Sequence, residues 1–205
     1  VTCKERFIYE PECEKKYEVV LFDFGYKRSI RKGLLDRGCR ITVVPAETTA
    51  EEIKELNPDG IMLSNGPGDP TENTTVIENL REIEKLGICL GHQLMALANG
   101  AKTEKLKYGH RGANQPVIDL ERDRTFFTSQ NHGYAVIGDS IDESIGKVSH
   151  INANDKTCEG VHYKNMDAFT VQFHPEAHGG PLDTWYLFDV FVGMMDKKKD
   201  GKDKE

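Results

Sequence analysis

"GICLGHQ", residues 87–93, sets a cysteine between two glycines, just ahead of the helix-compatible run "HQLMALANG", residues 92–100. The spacing Gly87-x-Cys89-x-Gly91 is the cysteine counterpart of the G-x-S-x-G nucleophile elbow, a strained turn from strand to helix. Flanking glycines let the strand and helix backbones approach without a side-chain clash. Read as an elbow, the thiol projects from the C-terminal edge of a parallel sheet, where open α/β folds bind ligands. A helix starting straight behind it aims N–H groups and partial positive charge at the sulfur, which favours thiolate. The same N–H groups suit the oxyanion of a tetrahedral intermediate. Read as a packing turn, the stretch carries an incidental cysteine, and the pentapeptide alone leaves both readings open.

The elements upstream support the elbow. "YEVVLFDFG" (17–25) reads as a buried strand ended by Gly25, and "KRSIRKGLLDRG" (27–38) as a helix closed by Gly38. "CRITVVP" (39–45) is a second strand, "TAEEIKELN" (49–57) a helix capped by Thr49, and "GIMLS" (60–64) a third strand. "ENTTVIENLREIEK" (72–85) is helical. This alternation predicts an α/β fold with an open, mostly parallel sheet flanked by helices. From about residue 101 short strands take over: "AKTEKLKYG", "QPVIDL", "TFFTSQNH", "GVHYK" and "FTVQFHP". They predict a small added antiparallel section in the second half. "WYLFDVFVGMM" (185–195) reads as a closing amphipathic helix. Residues 1–16 read as a connecting segment, and 196–205, "DKKKDGKDKE", as a disordered charged tail.

Composition narrows the function. Of 205 residues, 38% are hydrophobic and 30% charged, which fits a globular protein with a real core. No apolar run approaches the roughly 18 residues of a membrane helix, so no membrane partner is expected. "VTCKERFIYE" holds no signal-peptide core, which points to the cytoplasm. A net charge of -7 argues against nucleic acid, whose phosphates need clustered Lys and Arg. The five cysteines are scattered, with no C-x-x-C pair for zinc or redox exchange.

A cysteine nucleophile needs a base, and "QFHPE" supplies one in His174. Glu176 follows two residues on, where an extended backbone keeps it near the same edge. A carboxylate behind an imidazole fixes its tautomer and steadies the imidazolium. A metal reading through His174 and His178 is opposed by Pro175 and Gly179-Gly180, which leave little helix to carry both. "LSNGPGDP" (63–70) is a rigid loop after a buried strand, with N–H groups free to face a ligand. It is no phosphate loop, since G-K-[ST] is absent.

Elbow, "NGPG" loop and "HPE", taken together, resemble the class I, triad-type glutamine amidotransferases. The resemblance narrows through "FDFGYKRSIRKGLLDRGCRITVVPA", "GIMLSNGPGDP", "GHRGANQPV", "SQNHGYAV" and "FTVQFHPEA" to the glutaminase domain of carbamoyl-phosphate synthetases. It places that domain at residues 17–195. "GHRGANQPV" and "SQNHGYAV" are the selective parts, because the triad is shared with the amidotransferases of anthranilate, GMP and CTP synthases.

The resemblance implies that Cys89 attacks the side-chain amide of L-glutamine, releasing ammonia and forming a glutamyl thioester that water hydrolyses. His174 shuttles the proton and Glu176 orients it. Gly68 and Leu90 match the oxyanion amides. Gly66, Gly68, Leu90, Gln93, Asn131, Gly133 and Tyr134 fall on glutamine-contacting positions. Ammonia passes to a synthetase large subunit or fused synthetase domain, which uses bicarbonate, ATP and Mg; the glutaminase itself carries no cofactor and no metal. Amine synthesis of the anthranilate or aminodeoxychorismate type, or a silent regulatory role, are the alternatives. Two departures from the family stand out. Its small subunit has an N-terminal domain supplying part of the glutamine site, whereas only a connecting stretch precedes the domain here, as in a fragment, an excised domain or a divergent stand-alone chain. The segment "REIEKLGICLGH" is also short for the strand that feeds the elbow.

Overall fold

In the computed structural model, residues 2–81, 86–164, 166–177 and 183–202 are described. The chain opens with β1 (Phe7–Tyr9), β2 (Tyr17–Asp23), α1 (Arg28–Leu35), β3 (Cys39–Pro45), α2 (Ala50–Glu55) and β4 (Gly60–Leu63). A 3-10 turn at Pro70–Glu72 leads into α3 (Thr74–Leu80), β5 (Leu86–Ile88) and α4 (Leu90–Ala98). Then come β6 (Thr103–Asp119), β7 (Arg124–Val136), β8 (Gly146–Asn152), β9 (Cys158–Tyr163), β10 (Phe169–Val171) and α5 (Leu187–Lys202).

The ten strands form one sheet in the order β1-β3-β2-β4-β5-β10-β9-β7-β6-β8. Strands β3, β2, β4, β5 and β10 are mutually parallel, and their C-terminal ends share one edge. Along β2, Val19 and Leu21 join one core and Val20 and Phe22 the other, so both faces are buried. That is why the strand reads as a continuous apolar run. Ile30 and Leu34 of α1 and Phe188 and Phe191 of α5 cover one face. Ile53 of α2, Val76 and Leu80 of α3, and Leu94 and Met95 of α4 cover the other. Thr49 caps α2 as expected, in a reciprocal capping box with Glu52.

Four expectations need correction. The sheet is mixed rather than mostly parallel: β1 and all of β6–β9 pair antiparallel. A short turn joins β6 to β7, which forces them antiparallel, and β8 bridges β6 and β9 to close a partial barrel. The runs expected as two strands, 101–109 and 115–120, are one irregular β6, with register shifts between Lys105/His110 and Gly112/Gln115. The expected connecting segment contains β1, whose Phe7, Ile8 and Tyr9 pair with Val43, Thr42 and Ile41. The charged run is helical through Lys202, because α5 is already nucleated and docked and Lys propagates a helix well. Residues 203–205, and 82–85 ahead of the short β5, lie outside the described residues. No helix among the described residues is long and apolar enough to cross a membrane.

Candidate active site

Cys89 stands between β5 and α4 with φ 52° and ψ -104°, one of few non-glycine residues with positive φ. Such a conformation costs about 1–3 kcal/mol and persists where the surroundings over-determine it. They do so here: Cys89 N–H donates to Val171 O at 2.8 Å, Gly91 N–H to Ser64 O at 3.1 Å and Gln93 N–H to Cys89 O at 3.2 Å. The turn is thereby tied to β10, β4 and its own helix. A Cβ on Gly91 would meet Leu63 Cβ and O at 2.6 Å, so the second glycine of the motif is a close-approach residue. The amides flanking the first turn are thus engaged, with Leu90 N–H between them at the helix position that has no intrahelical acceptor.

His174 reaches the thiol from the chain just beyond β10. The Cys89 thiol acts on its imidazole from one side, and its Nδ1 lies 2.8 Å from Glu176 Oε1 on the other. All three residues are buried. Burial alone pushes the His174 imidazole down, but Cys89 and Glu176 together outweigh it and raise it to about 9. Burial likewise pushes the Glu176 carboxyl up, and His174 together with Lys27 holds it below the usual range. The two shifts agree on an imidazolium–carboxylate pair at neutral pH. Lys27 Nζ stands 3.4 Å from Glu176 Oε1. Sequence reasoning missed Lys27, although it sits just past the C-terminal end of β2, on the edge that carries the thiol.

The loop after β4 meets the site from the other side. Gly68 has φ +102°, open to glycine and strained for any other residue. Asn65 anchors the loop, accepting from Lys27 N–H at 3.2 Å and donating to Gly25 O at 3.2 Å. Asp69 accepts from Thr71 N–H at 2.9 Å, and its carboxylate raises the pKa of the nearby Tyr134 hydroxyl of β7. Gln93 donates from Nε2 to Tyr134 O at 2.7 Å and to Gln172 Oε1 at 2.8 Å. Tyr134 O also accepts from His132 Nδ1 at 2.7 Å. The structure therefore gathers Cys89, His174 and Glu176, and links Gln93 to Tyr134. It sets Gly66 and Gly68 in one loop, places Leu90 beside Gly66, and puts Asn131 and Gly133 on β7 ahead of Tyr134. Asn131 is exposed, opposite Arg111 of β6.

A family model of the class-I glutamine amidotransferases matches residues 20–194. The chain belongs to that family. This amidotransferase chain is 57% identical over 188 residues to the carbamoyl phosphate synthase small chain of Listeria monocytogenes, covering 90% of this chain and 52% of that one. It is 53% identical over 191 residues to the Staphylococcus epidermidis protein of the same name, covering 91% and 51%. The chain thus spans about half the length of the curated relatives it matches. A solved GMP synthase subunit of Thermoplasma acidophilum superposes with a TM-score of 0.79 at 21% identity, covering 92% of this chain and 98% of that one. At that identity the likeness shows the fold alone.

Other titratable clusters lie apart from the thiol. His110, His132 and Glu159 bring one ligand-type atom each within 4.8 Å of one another. Both His110 nitrogens already face carboxylates, Glu159 Oε1 at 3.1 Å and Asp155 Oδ2 at 2.8 Å. Glu159 raises the His110 imidazole to about 9 against its burial, with Asp155 adding to the effect. Both His110 nitrogens are thus engaged, while the second Glu159 oxygen, Oε2, is buried without a hydrogen-bond partner. Of the His174/His178 metal reading, His178 lies outside the described residues, and His174 is already engaged by Cys89 and Glu176. A cleft of about 920 Å³ lined by Arg122, Lys147, His150 and Lys164 contains none of the predicted site residues.

Proposed function

We propose that this chain is a glutaminase, hydrolysing L-glutamine to glutamate and ammonia for carbamoyl phosphate synthesis. The observation that carries the reading is the buried line of thiol, imidazole and carboxylate at a strained turn on the sheet's C-terminal edge. With the proton of the pair already on His174, the Cys89 sulfur attacks Cδ of glutamine as the thiolate. The Gly68 and Leu90 amides receive the developing oxyanion. His174 returns the proton to the leaving nitrogen, the C–N bond breaks, and ammonia departs from the glutamyl thioester. Water, deprotonated by His174, then releases glutamate and restores the thiolate. Glu176 holds the imidazole's tautomer and charge throughout.

Gly66, Gln93, Asn131, Gly133 and Tyr134 are the remaining glutamine contacts in this reading. The substrate's charged ends meet backbone amides and carboxamides, which bind without titrating. No step draws on a cofactor; ATP and Mg belong to the synthetase partner that consumes the ammonia. The acceptor reading rests on the names of the relatives, with which this chain shares 57% and 53% identity.

An electrophilic glutamine analogue, 6-diazo-5-oxo-norleucine, tests the chemistry: it should add mass at Cys89, with free glutamine protecting. Labelling mainly at Cys39 or Cys158 refutes the assignment. For the acceptor, the isolated chain should hydrolyse glutamine slowly and rise at least about tenfold when the large carbamoyl phosphate synthetase component is supplied with its substrates. A shift of about 1 Å at one oxyanion donor is enough for such gating. Full-speed hydrolysis unchanged by any synthetase would make it an autonomous glutaminase.

A further inference from the structure

Gln172 lies in the bend just after β10, two residues before His174, with its side chain fully buried. Its Nε2 stands 3.6 Å from Cys89 Sγ, within hydrogen-bond reach for sulfur. The end of the carboxamide that faces the thiol is fixed by the network rather than by choice. Tyr134 O is a carbonyl and only accepts, so Gln93 must present its NH₂ group there, at 2.7 Å. The same NH₂ meets Gln172 at 2.8 Å, so Gln172 must present its oxygen to Gln93. The Gln172 NH₂ group is then left pointing at the sulfur. Its backbone is held as well, donating from N–H to Glu159 O at 2.8 Å.

We propose that Gln172 is a further catalytic residue, a neutral N–H donor that stabilises the Cys89 thiolate and is aimed by Gln93. The proposal rests on the glutaminase reading and deepens it. When the thiol proton moves to His174, the sulfur becomes an anion, and a hydrogen bond to a charged acceptor is stronger than one to a neutral thiol. The donor therefore shifts the proton transfer toward thiolate and imidazolium. As the sulfur's electron pair forms the S–C bond, negative charge leaves for the substrate oxygen and the Gln172 contact weakens. The donor thus increases the thiolate population while making each thiolate somewhat less reactive. Charged groups also face the sulfur: His174 directly, Glu176 behind it, and Lys27 from the end of β2 beyond that. Gln172 differs from them in carrying no charge, so its effect holds across the pH range. Gln93, a glutamine-contacting position, thereby connects the substrate pocket to the nucleophile.

The test is the pH profile of Cys89 alkylation by iodoacetamide in the full chain, followed by peptide mass at Cys89 with exposed Cys13 as internal reference. Gln172→Met keeps the length and removes the donor; Gln172→Glu replaces it with an acceptor. Loss of a hydrogen bond to a charged sulfur should move the midpoint up by about one unit in the Met variant, and further in the Glu variant. The limiting rate at high pH should rise about threefold, because a more basic thiolate is the better nucleophile. A loosened core alone raises the rate at every pH and leaves the midpoint in place. Gln93→Met, which removes the aiming group, should give a smaller upward shift, and it serves if the Gln172 variants fail to melt cooperatively. An unchanged midpoint in the folded variants overturns the proposal while leaving the triad intact. If Cys89 of the unaltered chain is alkylated no faster than Cys13, the nucleophile assignment itself fails, and the proposal with it.

Discussion

Replacing Glu176 with Gln keeps the side chain's size and removes its charge, at a position with no solvent exposure. The amide can still turn its oxygen toward Nδ1–H of His174, so the tautomer survives and the electrostatic part is isolated. The imidazole stands at about 9 instead of 6.5, with burial opposing the rise. The net gain is about 3 kcal/mol at roughly 1.4 kcal/mol per unit, shared between Cys89 and Glu176. If Glu176 supplies half or more, the variant's imidazole falls to about 7.5. Hydrolysis needs the imidazolium to protonate the leaving nitrogen, so kcat declines as pH rises through that value. The assay is ammonia release at saturating glutamine between pH 6 and 10. The unaltered chain should hold its plateau to about pH 8 and fall to half near 9, whereas Glu176→Gln should retain about a tenth of its own plateau at pH 8.5. Lys27 is half-exposed and returns to water in the variant, so its lost pairing adds little. Superimposable alkaline limbs would show that the carboxylate does not sustain the imidazolium. Glu176→Ala should also slow turnover less than His174→Ala, since an imidazole still acts in part without its orienter. Equal losses refute the orienting role.

Gly91→Ala should destabilise the fold by about 1–3 kcal/mol, because a Cβ there needs backbone to move rather than a flexible side chain. The contacts are Leu63 Cβ and O at 2.6 Å, and an unchanged urea midpoint would refute the close approach. His110 is raised above its unfolded value by Glu159 and Asp155, so its contribution is complete below about pH 6.5 and fades as pH rises through about 9. His110→Ala should therefore flatten the loss of stability over that window by about 2 kcal/mol, discounted for the half-exposed Asp155. Parallel stability–pH curves for the two proteins would remove the ion pair from the account.

Much of the site was legible because its signals are local. The Gly-Cys-Gly spacing of residues 87–91 gives the elbow, since a strained turn and a close approach are constraints on neighbouring residues. His174 and Glu176 lie two apart, but a turn closed by Ala177 N–H on His174 O at 3.2 Å, not the extended backbone expected, sets their 2.8 Å contact. The buried runs of β2, β3 and β4 announced parallel strands, because a strand covered on both faces loses its alternation. Pairing partners were not legible. β1 joins β3 across some thirty residues of chain, and β8 closes on both β6 and β9, because register depends on which edges are left open in three dimensions. The charged run after residue 195 looked like a solvated tail, yet continuation from a docked helix costs far less than nucleation, and that docking is a tertiary fact. Lys27 and Gln172 belong to the same class. The sequence by itself determined which residue carries the thiol and what chemistry the thiol needs. Only the folded sheet decided which lysine and which buried carboxamide stand against the reacting groups, because β2, β5, β7 and β10 meet at one edge from positions more than a hundred residues apart.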